Sequence, residues 1–157
     1  MSFALVAMED LIGKAKSAWA WVLSSHPTTV SLPDLPMVSA DAEMIGKVLR
    51  NLFENAAKYS KAGSPIYISA EQRDGMVFTS IADRGIGIDP TEQSLIFDRL
   101  YRSRDQSSAV SGTGMGLASS RAIVESHGGA LTVTSQVDHG SVFTFNLPHC
   151  ETPRFLN

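Results

Sequence analysis

Two runs of alternating character, PIYISAEQR from Pro65 and MVFTSIAD from Met76, meet at Asp74 and Gly75, and this junction constrains the fold more than any other feature. Ile66, Ile68 and Ala70 fall on one face of the first run, and Val77, Thr79 and Ile81 on one face of the second. Period-two alternation is the signature of a half-buried strand, and Asp-Gly is a pair that accepts the positive φ angles of a tight hairpin turn. An antiparallel hairpin is therefore expected. A second one is expected at the end of the chain, where ALTVTSQ and SVFTFNLP are joined through Asp138 and Gly140.

Between and before these hairpins the period changes to that of helices. EDLIGKAKSAWAWVLSSH carries Leu11, Ile12, Ala15, Trp19, Val22 and Leu23 at helical spacing, which predicts a helix that Pro27 stops. FALVAM before it and TTVSL after it read as short strands, and Pro33 and Pro36 make the link to Asp41 an extended loop. Asp41 is the expected N-cap of a second helix running to Tyr59, with Ile45, Val48, Leu49, Leu52, Phe53 and Ala56 on its apolar face. GLASSRAIVESH reads as a third helix, closed by Gly128 and Gly129. There is no internal repeat and no low-complexity segment.

With 157 residues, 43% of them hydrophobic, the chain has the size of one compact domain, drawn here as residues 1–150 with a tail at 151–157. A net charge of −3 argues against a general nucleic-acid partner, which needs a basic face. The single cysteine excludes an intrachain disulfide, and no run of about 18 apolar residues is present, so a cytoplasmic chain, or the cytosolic piece of a membrane protein, is expected.

Three motifs then suggest chemistry. On the second helix Asn51, Asn55 and Lys58 border the core stripe within about 60° of one another at 100° per residue. Asparagine is a poor helix former, so two of them one turn apart beside a lysine suggest a ligand. A carboxamide oxygen suits Mg²⁺, which shares its ligands with phosphate oxygens, and Lys58 is placed to meet phosphate charge. In IADRGIGID, Asp83 ends a strand and is followed by Gly85 and Gly87, which leave room for a planar ligand. A buried, acceptor-only carboxylate there would take the amino hydrogens of adenine and reject guanine, which presents a carbonyl at that position. In SGTGMGLASSRAIVESHGG, Gly112, Gly114 and Gly116 precede a helix, an arrangement that offers backbone N–H groups to an anion. It is not a Walker loop, since no GK[ST] follows, and Leu117 stands where Rossmann spacing would need glycine.

In this order the motifs resemble the catalytic ATP-binding domain of bacterial two-component sensor histidine kinases, within the Bergerat-type superfamily that includes gyrase, the Hsp90 chaperones and MutL. NLFENAAKYS resembles the N box, DRGIGI the G1 box, IFDRLYRS the F box and GTGMGLA the G2 box, and the likeness extends from Phe3 to Pro148. The resemblance implies an α/β two-layer sandwich, a mixed and mainly antiparallel sheet packed against about three helices. It implies ATP and Mg²⁺ as cofactors, with Asn55 on the metal, Asn51 and Lys58 facing the triphosphate, Tyr59 beside the nucleotide and Asp83 on adenine. Ile88, Gly112, Thr113, Gly114, Met115, Gly116 and Leu117 complete the boxes around the nucleotide. A lid from about Arg102 to Ser111 is implied, with Phe97 at its base and Arg102 or Arg104 reaching the phosphates; Leu100 departs from the aromatic residue the family often carries.

Related ATPases and anti-sigma serine kinases place a glutamate base where this chain has Asn51, and a carboxamide does not accept a proton usefully near pH 7. A histidine acceptor needs less activation, and Glu54 is a candidate to orient or deprotonate it. His26, His127, His139 and His149 lack the acidic and proline neighbours of the family's acceptor, so the acceptor is expected outside this chain. The expected function is transfer of the γ-phosphoryl group of ATP to a histidine on a separate dimerisation domain. A response regulator would be the indirect partner, the fragment monomeric and the parent homodimeric. The alternatives are a free-standing ATPase or serine kinase of the superfamily, and a nucleotide-binding regulatory module without turnover.

Overall fold

The computed structural model describes residues 1–88, Ile96 and residues 116–150. In chain order its elements are β1 (Ala4–Val6), α1 (Met8–Ala18), β2 (Thr28–Ser31), β3 (Met37–Ala40), α2 (Ala42–Tyr59), β4 (Ile66–Arg73), β5 (Met76–Ala82), α3 (Gly116–Ser126), β6 (Leu131–Gln136) and β7 (Gly140–Cys150). Among the described residues the strands form one sheet in the order β1, β3, β7, β5, β4, β2, with β6 also paired to β7. Only the β2–β4 pair is parallel among these; the others are antiparallel, so the sheet is mixed and mainly antiparallel as expected.

Both hairpins are present. Asp74 and Gly75 take φ angles of 54° and 78°, and the strands they join pair from Arg73 opposite Met76 through Tyr67 opposite Ala82. That register puts Ile66, Ile68 and Ala70 beside Val77, Thr79 and Ile81 on the buried face, while Tyr67, Ser69 and Glu71 are exposed. One buried and one open face make a two-layer sandwich.

The helical layer is centred on α2, which touches α1, α3 and β5. Asp41 caps it, its Oδ1 accepting from the Met44 N–H at 3.2 Å. Ile45, Val48, Leu49, Leu52, Phe53 and Ala56 are all at most 2% exposed, so the predicted stripe is the stripe that packs on the sheet. Full burial of the five larger side chains is worth about 1.5–3 kcal/mol each, which ties α2 firmly to the sheet. α3 closes with the Gly129 N–H donating to the Val124 carbonyl at 3.1 Å, the six-to-one bond of a glycine-terminated helix.

Two expectations are corrected. The first helix ends at Ala18 rather than at His26, and residues 19–26 continue as three-residue turns, Val22 donating to Trp19, Leu23 to Ala20 and His26 to Leu23. Trp19 and Trp21 meet edge to face there, with ring centroids 6.1 Å apart. The link before Asp41 is not all loop, because Met37–Ala40 pairs with both β1 and the end of β7. A four-residue strand following two prolines leaves too short an alternation to recognise.

Thr79 occupies a fully buried position of β5, and among the described residues its hydroxyl has no hydrogen-bond partner. Replacing it with valine keeps the shape and removes the orphaned group. Thr79→Val is therefore expected to stabilise the domain by about 1–2 kcal/mol, read as a rise in the urea midpoint at unchanged slope.

Candidate nucleotide site

Four pieces of backbone converge at one end of the sheet: the last turn of α2, the segment 83–88 after β5, the first turn of α3 and the turn between β6 and β7. The Ile86 N–H donates to the Tyr59 carbonyl at 3.1 Å, and Ser60 bridges to Gly85. The approach is so close that a Cβ on Gly85 would overlap the Tyr59 carbonyl, which explains the first glycine after Asp83. Gly87 has φ +73°, and a Cβ there would overlap the Gln136 carbonyl in β6. The glycines thus fit the chain against α2 on one side and β6 on the other.

Asp83 lies at the centre of this junction and is 7% exposed. Its Oδ1 accepts from the Gly85 N–H at 2.9 Å and the Ser141 N–H at 3.2 Å, while its own N–H donates to the Ser141 carbonyl at 2.9 Å. Among the described residues no donor reaches Oδ2. Burial pushes the Asp83 carboxyl above its ordinary pKa, opposed by the two N–H donors and by the charge of His26. The result is a carboxylate fixed through one oxygen, whose other oxygen is an acceptor for an outside donor.

On α2 the carboxamides are both half-buried and both oriented. Asn51 Nδ2 donates to the Gly116 carbonyl at 3.1 Å and to Ser120 Oγ at 2.8 Å, pinning the first turn of α3 to α2. Asn55 Nδ2 donates to the Asn51 carbonyl at 3.1 Å. In each case a backbone oxygen sits where the amide nitrogen is, so the opposite flip would set oxygen against oxygen and Oδ1 remains the acceptor. Among the described residues no donor reaches Asn55 Oδ1. That donor type fits Mg²⁺, which takes one or two protein oxygens and completes its shell with water and phosphate, and no cluster of three His, Cys, Asp or Glu side chains competes for a metal among the described residues.

Glu54 pairs with Arg50 at 3.5 Å, and the Arg50 guanidinium lies over the Trp19 ring, 4.5 Å from its centroid. Lys58 is exposed and Tyr59 half-buried at the end of the helix. Ile88 and Leu117 are half-buried and pack on the core. Phe97, Leu100, Arg102, Arg104, Gly112, Thr113, Gly114 and Met115 lie outside the described residues, as does the implied lid.

Three serines contribute that the motifs did not reveal. Ser120 is fully buried on α3 and holds Asn51; Ser141 holds Asp83; Ser135 Oγ accepts from the Ile88 N–H at 2.7 Å. The available signal was a polar residue on an inward-facing position. Ser135 follows Leu131 and Val133 at period two, and Ser120 lies four residues before Val124 on the buried side of α3.

Comparison with known families matches residues 40–151 to the family described as histidine kinase-, DNA gyrase B-, and HSP90-like ATPase. The chain belongs to this family. The match runs from Ala40, before α2, past β7, and so contains every element that builds the site. Within the family, the sensor protein KdpD of Escherichia coli is 36% identical over 149 residues, covering 94% of this chain and 16% of its own length. The mycobacterial sensor histidine kinase MprB superposes with a TM-score of 0.84 at 28% identity, covering 96% of this chain and all of that one. Full-length ShkA, solved in complex with AMPPNP, gives a TM-score of 0.85 at 26% identity over 97% of this chain and 32% of that one. The chain thus spans about a sixth of the length of KdpD, and the family members it resembles are sensor histidine kinases with ATP-binding domains of this fold.

Proposed function

We propose that the chain binds ATP with Mg²⁺ and supplies the γ-phosphoryl group to a histidine on a separate dimerisation domain, as the catalytic part of a two-component sensor kinase. The observation that carries this reading is the half-satisfied carboxylate of Asp83, buried and fixed by two N–H donors beside the asparagine-bearing end of α2. Asp83 accepts the adenine amino group through Oδ2. Asn55 ligates Mg²⁺ through Oδ1, while Asn51 and Lys58 line the phosphate side, with Asn51 also fixing the start of α3. Mg²⁺, when held by Asn55, would supply positive charge that offsets the charge of the phosphates. Glu54, held by Arg50, orients the incoming imidazole. The reaction belongs on the cytoplasmic side of the cell, with a response regulator receiving the phosphoryl group from the histidine; among the described residues no helix is long and apolar enough to cross a membrane.

The test is base selectivity. The parent domain is expected to bind ATP far more tightly than GTP, and equal binding of the two would overturn the reading. Asp83→Asn keeps an oxygen for Gly85 and Ser141 and turns an amino group outward, which opposes adenine and suits the guanine carbonyl. Its expected effect is a loss of about tenfold to a hundredfold in ATP affinity, from 1.5–3 kcal/mol for a hydrogen bond to a charged group, with GTP binding maintained or improved.

Acidity should act in the same direction. Because the folded carboxyl has a raised pKa, it takes up a proton before an ordinary aspartate would, so ATP affinity falls as pH drops through that raised value. Stability moves oppositely: the folded state binds this proton more tightly than the unfolded state, so stability from this group is present at low pH and lost as pH rises through the raised value. Asp83→Asn is accordingly expected to raise the melting temperature at pH 7 while weakening ATP binding.

A further inference from the structure

The hydroxyl of Ser135 links three partners at the base side of the site. It donates to the Gly140 carbonyl at 3.1 Å, accepts from the Ile88 N–H at 2.7 Å, and lies 2.9 Å from Ser141 Oγ. Ser135 Oγ thus ties together the Ile88 N–H, the Gly140 carbonyl and the Ser141 hydroxyl. Ser141 is the residue whose N–H and carbonyl bracket Asp83. A single side chain in β6 therefore joins the two parts of the proposed adenine reader, the carboxylate and the glycine-rich segment that follows it.

The same turn grips that segment a second time, the Asp138 N–H donating to the Ile86 carbonyl at 2.8 Å. The segment needs such restraint. Gly85 and Gly87 leave it a large conformational freedom, and any freedom that remains in the unbound protein must be lost when a base packs against it.

We propose that Ser135 is a positioning residue for nucleotide recognition, which pre-orders residues 85–88 and holds Ser141 so that Asp83 presents Oδ2 in one direction. The proposal rests on Asp83 as the adenine acceptor. Ser135 itself touches no ligand in this scheme; it acts through Ile88 and Ser141. Its methylene-only stem is half-buried on a strand, so Ser135→Thr keeps the oxygen in a residue that strands favour, and Ser135→Ala removes the oxygen alone.

The experiment measures dissociation constants for ATP and GTP, and the melting temperature, in the parent protein and the two variants. Ser135→Ala is expected to weaken ATP binding about tenfold, the upper end for a neutral hydrogen bond, and to narrow the ratio between ATP and GTP. Ser135→Thr should restore both. Equal ATP affinity and an equal ratio in parent and Ser135→Ala would overturn the proposal, as would a loss that follows the melting temperature and leaves the ratio unchanged. Amide hydrogen exchange on the parent protein needs no variant: the Ile88 N–H should be protected before nucleotide is added, and exchange there at the rate of an open loop would also overturn it. A parent protein that binds no ATP, or binds GTP equally, instead removes the nucleotide reading on which the proposal stands.

Discussion

Replacing Asn55 with alanine is expected to leave the domain folded and to weaken Mg²⁺-dependent ATP binding by about a hundredfold or more. The fold should survive because the side chain borders the core without filling it. The packed stripe of α2 is made by Ile45, Val48, Leu49, Leu52, Phe53 and Ala56, and alanine is a better helix former than asparagine. What is lost is the bond from Nδ2 to the Asn51 carbonyl, a group that already lies within the helix, and the Oδ1 acceptor. Mg²⁺ has few protein ligands in a site of this composition, so removing one is more severe than the tenfold to hundredfold typical of residues behind the ligands. Calorimetric titration with and without Mg²⁺ separates the metal effect from a general loss of binding. Parent protein should gain affinity on adding Mg²⁺ and the variant should not; an identical gain in both would reject Asn55 as the ligand.

How much of this could be read from the residues depended on how local the cause was. The hairpin at Asp74 and Gly75, the cap at Asp41 and the stripe from Ile45 to Ala56 are set by neighbours within a few positions, and all three are present. The partnership of β3 with β1 and β7, and the parallel register of Thr28 with Ile66, depend on contacts between distant segments that no local period encodes. The same division runs through the site. Asn51, Asn55 and Asp83 stood out as polar residues in apolar surroundings. That Asn51 would spend its amide on Gly116 and Ser120, or that Ser141 and Ser135 would hold the aspartate and its loop, required α3 and the second hairpin to be folded against α2 and β5.

The isolated chain is expected to bind ATP and yet not to phosphorylate itself, and the four histidines say why. His127 is buried with both ring nitrogens engaged, one accepting from the Asp41 N–H at 3.0 Å and the other bonded to the Ile123 carbonyl at 2.8 Å. His26 is buried with Nδ1 held at 2.9 Å from the Ser64 carbonyl. His139 is exposed in the turn between β6 and β7, its N–H donating to the Gln136 carbonyl at 2.9 Å. His149 is seven residues along β7 from Val142, the partner of Ala82, which puts it roughly 23 Å from the Asp83 end of the sheet at 3.3 Å per residue. Phosphoryl transfer is mostly positioning and charge stabilisation, and an acceptor not held in line with the γ-phosphate forgoes effective molarities of about 10⁵–10⁸ M. Supplying the cognate dimerisation domain as a separate protein should restore labelling of its histidine, at a rate that rises with its concentration and stays below that of the joined protein, where the linker sets the effective concentration. Incubation with γ-labelled ATP followed by acid and base treatment decides the chemistry, because phosphohistidine is labile in acid and stable in base. Rapid self-labelling that survives acid would assign the chain to the serine kinases of the superfamily, and vigorous phosphate release by the chain alone would make it an ATPase.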